Sequence, residues 1–153
     1  MRSKSAVLAA AVAIAGTGLI ATAGTASAAP TSTSTAASAA PRAAVYNGAC
    51  GAGYSVVNSA GIADLGTVFL TYNSKTGKNC VVTVRNKKGE PIHMSASVRA
   101  LDGKDTPPVV EEGDFTSFAG PVYVKGAGFC IEWSGVIDEE EYYNSGSNCG
   151  FRK

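Results

Sequence analysis

The sequence predicts an all-β domain: an antiparallel β-sandwich or open barrel of about seven to eight strands, held by two disulfides. Three observations favour this fold class. Apolar residues recur at every second position in short segments, which is the side-chain period of a strand. Turn-forming residues separate these segments at short intervals, and no window beyond residue 44 carries a helical period. All 4 cysteines also lie beyond residue 44.

The first 28 residues have the layout of a secretory signal peptide. Arg2 and Lys4 supply the positive start, and residues 7–15 are an unbroken apolar run. Residues 26–28 (Ala-Ser-Ala) supply the small side chains that signal peptidase requires, so we expect cleavage after Ala28. The segment from residue 7 to residue 29 consists mostly of Ala, Gly and Thr, which makes it a weak transmembrane anchor. We therefore expect a secreted protein with no membrane attachment after the signal peptide is removed.

Residues 29–44 are rich in Ser, Thr, Ala and Pro and predict a disordered linker or pro-segment. They contain too little apolar surface to offset the entropy lost on ordering. The folded part is then a single domain, residues 45–153. The chain has a formal net charge of +1. This near-neutral balance is evidence against nucleic-acid binding, which requires a basic face.

Alternating segments define the predicted strands along this domain. In chain order, the strands are expected at residues 54–59, 66–73, 79–86 and 91–99, with an edge strand at 109–110 and further strands at 115–118, 122–125, 129–134 and 142–143. A turn is expected at residues 111–114. Within residues 66–73, Val68, Leu70 and Tyr72 share one face.

Residues 120–137 (GPVYVKGAGFCIEWSGVI) contain two alternating runs around a Gly-Ala-Gly break. This pattern predicts a two-stranded hairpin with one face toward the core. If Trp133 points inward, the alternation sends Cys130 and Glu132 outward.

The four cysteines predict two disulfides, because an even number of cysteines in an exported chain is typically oxidised. Their spacing does not match a zinc site, and His93 is the single histidine. Two pairings stay open. An up-down-up meander of the first three strands favours Cys50–Cys80 with Cys130–Cys149. The alternative is Cys50–Cys149 with Cys80–Cys130.

Five sequence blocks resemble one known family. They are YNGACGAGYSVVNS, GTVFLTYN, NCVVTVRN, GPVYVKGAGFCIEW and GSNCG, which together span most of residues 46–150. In order and spacing they resemble the spore-associated protein A family, small secreted proteins of filamentous spore-forming bacteria. The resemblance implies export and association with the spore or aerial-growth surface. Together with the signal peptide and the cysteines, it leads us to expect protein or glycan components of the spore or cell surface as partners. It implies no catalytic residues.

The candidate catalytic groups do not form a recognisable set. His93 lacks a G-x-S-x-G nucleophile motif, and Glu132 lacks a defined carboxylate partner for glycoside hydrolysis. The acidic residues 138–141 lack the spacing of a calcium loop. Consecutive side chains on an extended segment also point to opposite sides, so at most two of these four can converge on one ion. The sequence thus predicts neither an enzyme nor a metal or cofactor site.

Aromatic residues are the best indication of binding, because their amphipathic rings suit sugar and protein surfaces. The possible binding face comprises Tyr54, Tyr72, Tyr123, Trp133, Tyr142 and Tyr143. Cross-strand packing is the alternative role for these rings. The function expected from the sequence is that of a secreted, non-enzymatic protein associated with the spore or cell envelope. The alternative is a secreted binding module, either a glycan-binding β-sandwich or a protease inhibitor presenting residues 102–113.

Overall fold

The structure is a computed structural model that describes residues 43–150. The predicted signal peptide, and the predicted linker up to residue 42, lie outside the described residues. The described part of the chain contains eight strands: β1 (Ser55–Ile62), β2 (Gly66–Asn73), β3 (Lys78–Arg85), β4 (Ile92–Leu101), β5 (Val109–Phe115), β6 (Phe118–Lys125), β7 (Cys130–Ile137) and β8 (Glu140–Ser147).

The strands form two four-stranded antiparallel sheets, which confirms the predicted β-sandwich. Sheet A has the order β1-β2-β3-β6, and sheet B has the order β5-β4-β7-β8. Alternate side chains of both sheets point inward and fill one core around Trp133, which is 1% exposed. Its other large members are Ile62, Val68, Leu70, Val81, Met94, Val98, Val122, Ile131 and Ile137.

The disulfides are Cys50–Cys80 and Cys130–Cys149, so the favoured pairing is confirmed. Strands β1, β2 and β3 form the expected meander, in which Ser55 pairs with Tyr72 and Tyr72 pairs with Asn79. The start of β1 and the start of β3 therefore lie at the same end of sheet A. This geometry brings the cysteine that precedes β1 next to the cysteine at the start of β3.

The predicted hairpin of residues 120–137 is wrong, although both of its strands exist. Strand β6 pairs with β3 in sheet A, whereas β7 pairs with β4 and β8 in sheet B. Residues 126–129 therefore cross from one sheet to the other. Alternation identifies which side chains point inward, but the two sheets share one core. Val122 lies in sheet A and Trp133 in sheet B, and both point into that core. The alternation around them is therefore the same as it would be if their two strands were paired.

Three strands extend further than predicted. Strand β1 continues through Gly61 to Ile62, where a break was expected, because β2 supplies backbone partners along its full length. Strand β5 occupies residues 111–114, where a turn was expected, because β4 pairs with this acidic segment. The predicted strand at residues 115–118 does not form, because Phe115 ends β5, residues 116–117 connect the two strands and Phe118 begins β6. Strand β8 spans eight residues rather than two.

The outer face of sheet A is covered by residues 44–54, here called the amino-terminal strap. Beneath it, Phe69, Cys80 and Val82 are buried. The ring of Tyr46 lies 5.7 Å from that of Phe69, and the Ala44 backbone N–H donates to Asn86 Oδ1 at 2.7 Å. Strands β2 and β3 are therefore buried on both faces, so their apolar residues are continuous rather than strictly alternating.

Side-chain hydrogen bonds join the two sheets along both open sides of the sandwich. On one side, Asn148 at the end of β8 donates from Nδ2 to the Val57 carbonyl of β1 at 3.2 Å. On the other, the Gly120 backbone N–H of β6 donates to the Glu111 carboxylate of β5. These contacts use backbone groups of edge strands that would otherwise be open to pairing with another chain.

Candidate binding site

A cleft of about 310 Å³ opens at one end of the sandwich. Strand β2 ends there, β3 begins there, and the crossing between β6 and β7 passes over it. We call this the cleft end. The residues lining the cleft are Val57, Tyr72, Asn79, Gly126, Ala127, Gly128, Asn148, Cys149 and Gly150. A smaller cavity of about 250 Å³ lies at the opposite end, beside Arg85 and Ile137.

The cleft lining is partly apolar and partly polar, and none of its described residues carries a formal charge. It contains two side-chain amides, one phenol ring and the backbone of two glycine-containing segments, and within residues 43–150 it includes no Asp, Glu, Lys, Arg or His. Cys149 is oxidised in a disulfide. Such a lining can donate and accept hydrogen bonds, but it supplies no counter-charge for an ionic group.

Asn79 forms the floor of the cleft and is only 3% exposed. Its Nδ2 donates to the Thr71 carbonyl at 3.2 Å. Within residues 43–150 its Oδ1 has no hydrogen-bond partner. The backbone of Gly126 lies directly against this oxygen, and a Cβ at Gly126 would collide with Asn79 Oδ1 and Ile131 Cδ1. Glycine at position 126 therefore lets the crossing segment approach the amide closely.

Tyr72 supplies the aromatic ring of the cleft. It is partly buried at the end of β2, and its hydroxyl makes no hydrogen bond to any other described residue. An amphipathic ring with a free hydroxyl provides both an apolar surface and a polar group for a ligand.

Asn148 and the residues that follow it form the opposite wall. Asn148 adopts a left-handed conformation with φ of 53°, and its Oδ1 accepts from Asn58 Nδ2 at 3.1 Å and from Ser147 Oγ at 3.0 Å. The backbone of Gly150 packs against that of Gly128, with its N–H donating to the Phe129 carbonyl at 3.4 Å. The Cys130–Cys149 disulfide fixes this wall to the start of β7.

Comparison with known proteins identifies the family. Over 112 residues the chain is 55% identical to Spore-associated protein A of Streptomyces coelicolor, an alignment that covers 72% of this chain and 71% of that protein. The chain belongs to the spore-associated protein A family. The resemblance inferred from the five sequence blocks is thus confirmed. No family model matches the chain. No solved structure is a significant match to this member of the family.

In this family member the six predicted binding residues lie in four places rather than on one face. Tyr54 and Tyr123 pack edge to face on the outer side of sheet A, with ring centroids 5.7 Å apart. Tyr123 also donates to the Cys50 carbonyl at 3.2 Å, and burial raises the pKa of its phenol, with smaller contributions from Tyr54 and Tyr46.

Of the other predicted binding residues, only Tyr72 lines the cleft. Trp133 is buried in the core and cannot be part of an exposed binding face, because its strand position points inward. Tyr142 packs against Trp133, with ring centroids 5.0 Å apart. Tyr143 is 56% exposed on the outer side of sheet B. Alternation along β8 thus separates two adjacent tyrosines onto opposite faces of the sheet.

Glu132 lies on the outer side of sheet B between Arg99 and Tyr143. Its Oε2 accepts from Arg99 Nη2 at 2.7 Å and from the Tyr143 hydroxyl at 2.8 Å. The hydrogen bond from Arg99 is the main reason why the pKa of Glu132 is lowered, and the bond to Glu132 raises the pKa of Tyr143. A general acid in glycoside hydrolysis needs the opposite shift. The arrangement therefore resembles a structural ion pair across β4 and β7.

His93 and the acidic run lie apart from the cleft, at the opposite end of the sandwich. His93 Nε2 is 3.8 Å from Glu112 Oε1, and both side chains are exposed. The run at residues 138–141 forms the β7–β8 turn and the start of β8. Within residues 43–150, no group of three His, Cys, Asp or Glu side chains is arranged to hold a metal ion.

Asn79, Asn148 and the glycines of residues 126–128 were not predicted as site residues. One sequence signal could have identified the amides, since an Asn-Cys pair occurs at both 79–80 and 148–149. Each pair places a cysteine in a disulfide and an asparagine in the cleft. In the described part of the chain, no helix is long and apolar enough to cross a membrane.

Proposed function

We propose that this protein is a secreted, non-enzymatic component of the spore or cell surface that acts by binding another component of that surface. The observation that carries the proposal is its 55% identity to a protein named Spore-associated protein A. The signal-peptide layout of residues 1–28 and the two disulfides support export, because disulfides persist in oxidising extracellular surroundings.

The second candidate function is a secreted binding module, and the structure favours a glycan ligand over a protease. A protease inhibitor would present residues 102–113 as a protruding loop. Residues 109–113 instead belong to β5 and pair with β4, which leaves only residues 102–108 as a loop. Thr106 and Pro107 of that loop lie beside Val98 and Ala100. The cleft, by contrast, has the mixed apolar and hydrogen-bonding lining of a small-ligand site, and none of its described lining residues is charged.

Fractionation of a sporulating host tests the proposal. The full chain is produced from its own signal peptide, and spores, culture fluid and cytoplasm are analysed by immunoblot and mass spectrometry. We expect the chain in the spore or wall fraction, beginning after Ala28 or within residues 29–44, and without free thiols. A matched variant that lacks residues 2–28 should remain in the cytoplasm. Recovery of the intact full-length chain in the cytoplasm alone would contradict the proposal.

A further inference from the structure

We propose that the cleft binds the end of a neutral glycan, with Tyr72 as the stacking ring and Asn79 and Asn148 as the hydrogen-bonding groups. This inference rests on the binding role proposed above and adds the site and the chemical class of ligand. It depends on three properties of the cleft: its charge, its buried amide and its size.

The charge of the lining selects among ligands. Within residues 43–150 no Lys, Arg or His lines the cleft, so these residues offer no cationic partner to offset the hydration that a phosphate, sulfate or uronic acid would lose there. A cationic ligand would likewise meet no carboxylate from residues 43–150. Neutral sugars avoid this desolvation cost, since their hydroxyl and N-acetyl groups can exchange hydrogen bonds to water for bonds to amides and backbone.

The buried amide of Asn79 provides the most specific indication of a ligand. An acceptor that is reached from the cleft and makes no bond to the protein is available to a ligand. Asn79 is 3% exposed, and its Oδ1 has no partner within residues 43–150. This oxygen can accept a hydrogen bond from a ligand hydroxyl or amide at the cleft floor. On the opposite wall, Asn148 Nδ2 has a second N–H besides the one bonded to Val57.

The cleft volume of about 310 Å³ suits a short ligand segment. It lies at the lower end of the range for ligand pockets, about 300–1,000 Å³. The cleft is also at the end of the sandwich rather than along a sheet, so a long polymer would not lie flat across it. We therefore assign the site to a chain end of one or a few sugar rings, with the Tyr72 ring against an apolar sugar face.

An extended peptide fits the site less well. Peptides commonly bind β-sandwiches by adding a strand to a free edge, where main-chain groups pair. The edge strand next to the cleft is β1, and its Val57 carbonyl already accepts from Asn148 Nδ2. The register of β1 against β2 also shifts between Val56 and Asn58, which interrupts a regular edge.

Titration of the purified, oxidised secreted chain with size-matched oligosaccharides tests the inference. The probes are the trimers of N-acetylglucosamine, glucose and galacturonic acid, together with trialanine, and binding is measured by isothermal titration calorimetry. We expect one or both neutral trimers to bind and the galacturonic acid trimer and trialanine not to bind. The comparison of the two neutral trimers identifies whether the N-acetyl group is required.

Three variants locate the binding. Tyr72→Ala removes the ring, and Asn148→Gly removes the amide while keeping a residue that tolerates positive φ. Each should weaken binding of the neutral trimer by about tenfold or more, which corresponds to about 1.4 kcal/mol. Tyr143→Ala is the matched control, because it removes an exposed tyrosine on the outer side of sheet B. It should leave the affinity unchanged.

Circular dichroism and a free-thiol assay verify that each variant remains folded and oxidised. The inference is overturned if no neutral trimer binds, if the charged trimer or the peptide binds better, or if only Tyr143→Ala weakens binding. Surface fractionation distinguishes these failures from failure of the proposed function. A chain that reaches the spore surface but binds no neutral trimer would refute the glycan assignment and leave the surface role intact.

Discussion

Trp133 donates its indole N–H to Ser147 Oγ at 2.9 Å, which links the centre of the core to the last residue of β8. The Ser147 hydroxyl donates in turn to Asn148 Oδ1, and Asn148 is a wall residue of the cleft. The position of the cleft wall therefore depends on the packing of the buried indole. Changes in the core should alter the cleft even where no cleft residue is replaced.

Ser147→Ala tests this link. The substitution leaves the buried indole N–H without its acceptor, and we expect a loss of about 1–3 kcal/mol in the free energy of unfolding. Urea denaturation followed by tryptophan fluorescence measures the change directly, because Trp133 is the single tryptophan. Ser145→Ala is the control, because Ser145 is exposed. It should change the stability by less than about 0.5 kcal/mol.

Gly135→Ala should destabilise the sandwich strongly. Gly135 faces sheet A across the core, and an added Cβ would collide with Thr83 Oγ1 and lie 2.8 Å from Val68 Cβ. Overpacking of a filled core costs about 1–3 kcal/mol or more. Gly61→Ala is the matched control, since its Cβ would meet only the Ala63 carbonyl at 3.8 Å. Equal melting temperatures for the two variants would refute the close approach of the sheets at Gly135.

The two disulfides should differ in their rate of reduction. Cys149 is exposed, whereas Cys50 of the amino-terminal strap and Cys80 beneath the strap are buried, at 4% and 0% exposure. A thiolate must reach a sulfur atom to exchange with it. Under native conditions, dithiothreitol should therefore reduce Cys130–Cys149 well before Cys50–Cys80.

Alkylation at timed intervals followed by peptide mass spectrometry measures this order. The same treatment in guanidinium chloride is the control, because unfolding exposes both disulfides and should bring the two rates together. Faster labelling of Cys50 and Cys80 in the native protein would contradict the observed burial.

Glu132 should make the free energy of unfolding depend on pH in the acidic range. Its pKa is lowered in the folded state, chiefly by the hydrogen bond from Arg99. The unfolded chain then binds a proton at a higher pH than the folded chain. The resulting stabilisation is fully present above the unfolded pKa of glutamate, about 4.3, and is lost as the pH falls through the lower folded value.

Comparison of the native chain with Glu132→Gln tests this dependence. The difference in free energy of unfolding should be largest near pH 7 and should shrink as the pH approaches 3. Glu139→Gln is the control because this exposed carboxylate makes no ion pair within residues 43–150. A difference for Glu132→Gln that stays constant over this pH range would contradict the lowered pKa.

Much of the fold follows from local patterns. Alternation in residues 92–99 predicted β4 nearly to its boundaries, and the meander argument predicted the Cys50–Cys80 bond. Which strands pair with each other was harder to predict, because inward-facing residues of both sheets alternate in the same way along the sequence. The strands containing Val122 and Trp133 were consequently assigned to one hairpin. The strap was not predicted, because residues 44–54 carry no periodic pattern and pack on the outer face of sheet A rather than in the core between the two sheets.

The candidate site was less predictable than the fold. Aromatic content drew attention to Tyr72, which lines the cleft, but the other lining residues come from segments far apart in the chain. Asn79 and Asn148 meet at the cleft only because β3 begins and β8 ends at the same end of the sandwich. Such a site depends on the relative direction of strands, which residue type and spacing do not specify.

The amino-terminal strap begins at the end of the sandwich that lies opposite the cleft. Ala44 is bonded to Asn86, which follows β3 at the end opposite to Tyr72. Gly150, in contrast, borders the cleft itself. A fluorophore, affinity handle or solid support joined through the Ala44 end would leave the cleft end unobstructed. The same attachment at the carboxyl side of Gly150 would crowd it, so immobilisation in the two orientations should give opposite results in any capture assay.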